Sequence, residues 1–214
     1  MNGMARMVFW AAIVAGTSDY FAHDLGATGP LAIVWKGAGV TLLAIWCAMQ
    51  ARSRDGWLIV AVMAFGALGD VLLETAGLTA GALAFVAGHV LAILLYFRNW
   101  RPHLTFSQRV LAVLVVPLSV FIAASLVPPK DMIPIAVYAL FVSGMAAYAW
   151  TSRFPRYRTG IGAMMFLASD LLIFARMGVL AESSLPGMLI WPLYFGGQVL
   201  IAWGVTRTLA QDGR

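Results

Sequence analysis

Two carboxylates, Asp70 and Glu74, stand four residues apart at the end of a long apolar run, in the stretch GALGDVLLE. On a helix this spacing places both side chains on one face. A third acidic residue, Asp170, ends FLASD in another apolar run. Carboxylates in apolar surroundings cost free energy unless a partner or a wet cavity receives them. Paired carboxyl groups of this kind suit acid–base chemistry, because one can hold a proton while the other is ionised.

The composition places these carboxyl groups in a membrane protein. Of the 214 residues, 62% are hydrophobic and 11% are charged, whereas soluble domains carry roughly 25% charged residues. The apolar residues form blocks of about 18 to 22, long enough for a bilayer core of ~30 Å. The sequence therefore predicts an all-α integral membrane protein, formed by one helical-bundle domain over residues 1–214. The single cysteine, Cys47, excludes an intrachain disulfide.

Eight transmembrane helices are predicted between gaps that contain Gly, Pro or charged residues. Their predicted ranges are 5–23, 29–50, 56–75, 78–97, 109–127, 132–151, 160–179 and 187–209. Eleven arginines fall on the side of the termini, only Lys130 and Arg176 fall toward the other side, and Lys36 lies inside a helix. This bias predicts that both termini are cytoplasmic. It also indicates that the net charge of +5 meets anionic headgroups rather than nucleic acid.

Two of the predicted helices share a weak sequence similarity. GDVLL in the third predicted helix and SDLLI in the seventh take equivalent places if a four-helix unit is repeated once in the same orientation. Parallel repeats of this sort occur in membrane proteins. A four-plus-four internal repeat is therefore an alternative description of the single bundle.

Polar side chains within the predicted helices converge on the outer half of the membrane. At 1.5 Å per residue, Asp70 and Lys36 lie roughly 7 to 10 Å below the outer helix ends, and His89, Asp170 and Gln198 about 15 Å below them. The cytoplasmic half contributes almost none. One polar cavity open toward the outer leaflet explains the whole set, which is Asp19, Lys36, Asp70, Glu74, His89, Tyr138, Asp170, Tyr194 and Gln198.

Each of these residues also has a structural alternative. Lys36 would neutralise the two aspartates and close the bundle, and Glu74 would be a solvated helix end. His89 would bond to a backbone carbonyl, Gln198 would tie two helices together, and the tyrosines would be core aromatics.

Zinc sites use about three imidazole or carboxylate ligands around an open position. Because His89 is the only deep histidine and His23 and His103 flank the membrane on opposite sides, the two aspartates with His89 are the one conceivable set, and acid–base chemistry by two carboxyl groups does not require it. We therefore predict no metal and no cofactor.

The order of the motifs resembles that of a known family. GD is followed by GALAFVAGH, then FLASD, then YFGGQVLIAW, each in its own predicted helix. Lys36 precedes them, and Tyr138 stands between the second and the third. Over roughly residues 30–205 the chain is similar to the YhhN-like family of eight-helix membrane proteins, whose animal members are lysoplasmalogenases. It departs from the family at Gly37, where Lys-Pro is common, and in having Tyr96 only near the end of the fourth helix.

The resemblance implies a hydrolase of the vinyl ether bond of lysoplasmalogens, with a fatty aldehyde and a glycerophospho-alcohol as products. It assigns catalysis to Asp70 and Asp170. Hydrolysis of an enol ether begins with protonation and passes through an oxocarbenium ion, as glycoside hydrolysis does. We expect the deeper Asp170 to be the acid and Asp70 to be the ionised partner. The expected substrate-binding residues are Lys36, Glu74, His89, Tyr138, Tyr194 and Gln198.

Two other classes of function stay open at this stage. Intramembrane Asp, Lys and His also mark ion pathways, so a proton-coupled transporter or carrier of a small amphiphile is the main alternative. A broken helix at the site would favour it, and Trp191-Pro192 is the candidate break. A lipid-binding protein without turnover is the third class. In each case the expected partners are a lysophospholipid or related amphiphile and membrane lipids, and the expected location is a bacterial inner membrane.

Overall fold

A computed structural model describes residues 3–22 and 25–212. Nearly all of the described chain is helical, and its only strand-like feature is an isolated antiparallel bridge between Trp100 and Ser152. A 3-10 turn covers Pro129–Asp131 and a π-helical turn covers Arg156–Gly160. The α-helices of the described residues are α1 (Gly3–Asp19), α2 (Gly29–Ala48), α3 (Arg54–Thr75), α4 (Leu78–Arg98), α5 (Phe106–Leu126), α6 (Met132–Thr151), α7 (Ile161–Met177) and α8 (Leu185–Asp212).

Helices α2 to α8 are long and apolar enough to cross a membrane. Helix α1 has 17 residues and is about 26 Å long, slightly less than a bilayer core. The prediction of an all-helical membrane protein is therefore confirmed. The eighth span, the location of the termini and the single-domain description stay predictions.

Most helix ends lie within a few residues of the predicted ones, and two differences have a local cause. Helix α1 ends at Asp19 and is followed by a turn; His23, the last residue of the predicted helix, lies outside the described residues. Helix α5 begins at Phe106, three residues early, because Thr105 caps it. The Thr105 hydroxyl accepts from the Gln108 amide N–H at 3.4 Å, and Thr105 N–H donates to Gln108 Oε1 at 3.0 Å. This reciprocal pair is a capping box.

The described residues form two compact units. Unit 1 comprises the described parts of Met1–Leu95 and Ala202–Arg214, and unit 2 comprises Tyr96–Ile201. Helices α1 to α3 and most of α4 therefore belong to unit 1, and α5 to α7 to unit 2. Residues 185–201 of α8 belong to unit 2 and its later residues to unit 1.

In unit 1, α2 packs against both α1 and α3, and aromatic rings fill one part of its core. The Trp46 and Trp203 rings are stacked at 5.8 Å, and Phe9 packs against both. Helix α3 approaches α4 closely at Gly69, where an added Cβ would lie 2.7 Å from the Phe85 ring. The small residue next to Asp70 thus sets the approach of these two helices.

In unit 2, α7 packs against α5 and α6 and crosses α8 at two glycines. A Cβ added to Gly162 would lie 2.7 Å from Gly197 O, and one added to Gly197 would lie 2.6 Å from Gly162 O. The two backbones therefore touch directly. This crossing holds α7, which carries Asp170, against the part of α8 that carries Tyr194 and Gln198.

Candidate functional site

The predicted site residues divide between the two units. Lys36, Asp70, Glu74 and His89 belong to unit 1, and Tyr138, Asp170, Tyr194 and Gln198 belong to unit 2. Each group is described by itself.

Lys36 on α2 forms an ion pair with Glu74 on α3, through its Nζ and Glu74 Oε1. The two helices are close at this level, because a Cβ added to Gly37 would lie 2.9 Å from Val71 Cγ2. The pair is open to the surroundings, with side-chain exposures of 28% and 45%. From the sequence, Lys36 is expected to neutralise the two aspartates, whereas in the structure it forms an ion pair with Glu74.

The end of α1 adds to this charged group. Asp19 lies within electrostatic range of both Lys36 and Glu74. Beside it, Trp35 Nε1 donates to Ser18 Oγ at 3.0 Å and so ties α2 to α1. Unit 1 therefore presents a cluster of mixed charge at one end, formed by α1, α2 and α3.

Asp70 and His89 are the buried polar residues of this part of unit 1, with exposures of 2% and 4%. Asp70 directly follows Gly69, which faces Phe85. His89 stands four residues beyond Phe85 on α4, about 6 Å further along the helix axis. His89 therefore lies on the same face of α4 as Phe85, and both Asp70 and His89 are more deeply enclosed than the Lys36–Glu74 pair.

In unit 2, a tyrosine and an aspartate form a direct pair. Tyr138 Oη on α6 donates to Asp170 Oδ2 on α7 at 3.0 Å. The Tyr138 ring packs edge-on against Phe174, one turn beyond Asp170, and Asp170 is 5% exposed. The hydrogen bond from Tyr138 fixes the orientation of the Asp170 carboxyl group.

Tyr194 and Gln198 stand one turn apart on α8, and Gln198 Nε2 donates to Tyr194 Oη at 3.4 Å. This bond runs within α8 and does not link two helices. The Tyr194 ring packs edge-on against Phe166, which lies one turn before Asp170 on α7. Both polar side chains are buried in unit 2.

Sequence reasoning missed two features. The Tyr138–Asp170 hydrogen bond joins residues that are 32 positions apart, and no local sequence pattern predicts it. We also expected almost no buried polar side chains in the half of the membrane next to the termini. The end of unit 2 where α5 and α7 begin nevertheless buries several, namely Asn99, Gln108, Thr151, Ser152 and Thr159. Polar residues beside arginines in a predicted gap look solvated until the packing is known.

Within residues 3–22 and 25–212, no group of three His, Cys, Asp or Glu side chains could hold a metal ion. The family comparison agrees with the motif order. The family model described as YhhN family matches residues 31–205. No curated protein and no solved structure matches the chain.

Proposed function

The chain belongs to the YhhN family, and on this premise we propose that it is a membrane-embedded hydrolase of the vinyl ether bond of lysoplasmalogen-type lysophospholipids. The products are a fatty aldehyde and a glycerophospho-alcohol. One observation carries the proposal beyond the family: Asp170 is buried and its carboxyl group is oriented by Tyr138. A carboxyl group held in this way is suited to deliver a proton at a defined atom.

In the proposed reaction Asp170 is the acid. Its carboxyl group delivers a proton to the β-carbon of the enol ether and leaves an oxocarbenium ion on the carbon next to the ether oxygen. As Asp170 becomes a carboxylate, the hydrogen bond from Tyr138 strengthens, because its acceptor now carries charge. Tyr138 thereby stabilises the transition state more than the ground state.

Asp70 is the proposed ionised partner. A carboxylate near the oxocarbenium ion stabilises its positive charge and takes a proton from the attacking water. The resulting hemiacetal then collapses to the aldehyde and the alcohol. His89, Tyr194 and Gln198 are proposed to orient this water or to bind the glycerol oxygens.

The Lys36–Glu74 pair is the proposed headgroup contact. Both charged groups are partly exposed, so a zwitterionic headgroup can replace the Lys36–Glu74 ion pair by two ion pairs with its own charges. The phosphate would then meet Lys36 and the ammonium would meet Glu74. The proposed location is a bacterial inner membrane, with the site open toward the outer leaflet.

The carrier alternative lacks the structural feature that would favour it. Discontinuous helices are the usual ion and substrate sites of transporters. Helix α8 continues from Leu185 to Asp212 through Pro192, so the candidate break at Trp191-Pro192 is not a break. We therefore keep the hydrolase as the proposed function and let the following experiment separate it from transport.

The experiment measures aldehyde release from an alkenyl lysophospholipid by the purified chain in detergent. We expect Asp70→Asn and Asp170→Asn each to lower kcat by about 100-fold or more, the usual contribution of acid–base catalysis. If both carboxyl groups act on one substrate molecule, the double variant will lose little more than the worse single variant. Asp131→Asn, in the 3-10 turn before α6, is the matched control and should keep full activity.

Thermal unfolding of each variant in the same detergent shows whether it is folded. Absence of turnover on alkenyl and acyl lysolipids, by folded parent protein, would contradict the hydrolase. Flux of a labelled lysolipid into vesicles, abolished by the same substitutions, would then establish the carrier.

A further inference from the structure

One end of unit 2 presents a group of arginines, which we call the arginine platform: Arg101, Arg109, Arg156 and Arg158. Arg101 belongs to the loop before α5, and Arg109 to the first turn of α5, where its N–H donates to Thr105 O at 3.1 Å. Arg156 and Arg158 lie in the π-helical turn that leads into α7. Helices α5 and α7 both begin here, so the positive ends of two helix dipoles add to the charge.

No acidic residue of unit 2 lies at this end. The acidic residues between 96 and 201 are Asp131, Asp170 and Glu182. Asp131 lies in the turn between α5 and α6, and Glu182 lies in the turn between α7 and α8. These turns belong to the opposite end of unit 2, where Val179 N–H donates to Leu126 O at 3.2 Å. Asp170 lies within α7, more than two turns from its first residue.

The loops that carry the platform are bonded to each other. Arg153 N–H donates to Asn99 O at 2.8 Å, and Arg101 N–H donates to Thr151 O at 3.2 Å. The Arg153 side chain is held as well, because its Nε donates to Asn99 Oδ1 at 2.7 Å. The segment before α5 and the segment before α7 thus form one support, and a ligand meets arginines whose backbone is already ordered.

Three buried polar atoms at this end have no hydrogen-bond partner within the described chain: Tyr96 Oη, Gln108 Nε2 and Thr159 Oγ1. The Gln108 amide is oriented by its capping bond through Oε1, so Nε2 is left as a donor. Such unpaired buried atoms are rare in folded proteins. Two of the three residues directly adjoin Arg109 and Arg158. All three are enclosed beneath the arginines, so they do not themselves contact a ligand at the surface; they show that polar groups as well as charges collect at this end.

Exposed aromatic side chains show at which depth this end lies. Trp100, Phe106 and Tyr157 are all exposed, Phe106 to 83%, and the Arg156 guanidinium lies 4.8 Å from the Tyr157 ring centroid. Trp and Tyr, unlike Phe, collect at the level of lipid headgroups, so Trp100 and Tyr157 indicate that this end lies at that level. A lipid headgroup at this level would reach both the rings and the arginines.

We propose that the arginine platform binds the phosphate headgroup of an anionic phospholipid. Arginine offers planar, paired donors that fit phosphate oxygens, and basic groups at the membrane surface attract anionic lipids. On the predicted orientation this lipid belongs to the cytoplasmic leaflet. The platform contains none of the proposed catalytic residues, and the proposal does not depend on the hydrolase being correct.

The test is a titration of the full chain in neutral detergent with fluorescently labelled phosphatidylglycerol, read as fluorescence anisotropy. The variant R156Q/R158Q removes two platform charges. The matched control R52Q/R54Q removes the same charge from unit 1. Arg52 lies in the loop before α3, and Arg54 is the first residue of α3, next to Asp55. We expect Kd to rise about 5- to 25-fold for R156Q/R158Q, at about fivefold per arginine. The control should stay within twofold of the parent.

Competition by unlabelled lipids and the salt dependence of Kd show whether the bound group is an anionic lipid. Unlabelled phosphatidylglycerol should displace the probe, phosphatidylcholine should not, and Kd should rise with salt because the contact is ionic. Equal weakening by the two variants would overturn the proposal, since general positive charge would then suffice. Displacement by millimolar inorganic phosphate would overturn a lipid site in favour of a soluble anion. If R156Q/R158Q does not fold, R101Q/R109Q tests the same platform, and its failure to weaken binding counts equally against it.

Discussion

Charged side chains at the end of unit 1 formed by α1, α2 and α3 contribute little to stability, which leaves them available for the proposed headgroup contact. The Lys36–Glu74 pair is partly exposed on both sides, and exposed ion pairs stabilise proteins by only about 0 to 1 kcal/mol. Its place between α2 and α3, next to Asp19, instead offers a headgroup two opposite charges at one point. The pair is therefore the natural target for separating recognition from folding.

For Glu74→Gln we expect a loss of unfolding free energy of less than about 1 kcal/mol. With an ethanolamine-bearing alkenyl lysolipid, KM should rise about fivefold and kcat should change little, because one charge contact is lost in both the ground and the transition state. Steady-state aldehyde release measures both constants.

Two controls define this result. An alkenyl glycerophosphate without an ammonium group should show no change in KM between parent and Glu74→Gln. Glu182→Gln, an exposed acidic residue of unit 2, should change neither constant. A KM that is unchanged with the ethanolamine substrate would remove Glu74 from the headgroup contact.

Tyr138 is expected to act on catalysis through Asp170. Tyr138→Phe removes only the hydroxyl that donates to Asp170 Oδ2. Because hydrogen bonds to charged groups contribute about 1.5 to 3 kcal/mol, kcat should fall roughly tenfold to 100-fold while KM is kept. Tyr148→Phe on the same helix is the matched control. A kcat equal to that of the parent would show that Asp170 does not become charged in the rate-limiting step.

At the scale of helices, the α7–α8 crossing determines where the unit 2 residues meet. Gly162 and Gly197 face each other's carbonyl oxygens, and backbone cannot move aside as the end of a flexible side chain can. This contact brings Phe166 against Tyr194, one turn from Asp170. The position of the Tyr194–Gln198 pair beside α7 thus depends on the absence of a side chain at both glycines.

For Gly197→Ala we expect a loss of about 1 to 3 kcal/mol in the free energy of unfolding, the usual cost of overpacking. Gly187→Ala, near the start of α8, is the control, because an added Cβ there meets nothing within 4 Å. Thermal unfolding in detergent compares the two. Equal melting temperatures for both variants would mean that α7 and α8 can separate without loss of stability.

At the scale of the whole molecule, orientation is the property that follows from charge. The arginine platform lies at one end of unit 2. The turn that contains Lys130 and the turn that contains Glu182 lie at the opposite end, as the helix directions require. The positive-inside rule predicts that the platform lies on the cytoplasmic side. Every statement about leaflets depends on this assignment.

Labelling of single cysteines tests the orientation. In a Cys47→Ala background, His103→Cys precedes α5 and Ala181→Cys follows α7, and both positions are exposed. With a membrane-impermeant maleimide, we expect Ala181→Cys to react in right-side-out vesicles and His103→Cys to react only in inverted ones. The reverse pattern would invert the topology, and labelling of both from one side would contradict three membrane crossings by α5, α6 and α7 between the two positions.

The sequence by itself determined the class of the protein, the places of its helices and its family. These depend on local properties: the length of apolar blocks, the Gly, Pro and charged residues between them, and the order of short motifs. Even the early start of α5 is readable from Thr105 and Gln108, a capping pair three residues apart.

Only the tertiary structure decided which polar groups meet. Lys36 pairs with Glu74, and Tyr138 bonds to Asp170. The two glycines of α7 and α8 form a crossing. These contacts depend on how each helix is rotated and shifted against its neighbour. An almost uniformly apolar sequence leaves that choice open, because many rotations bury similar surfaces in lipid and protein alike. Close packing selects one of them, and with it the partners of each buried polar group.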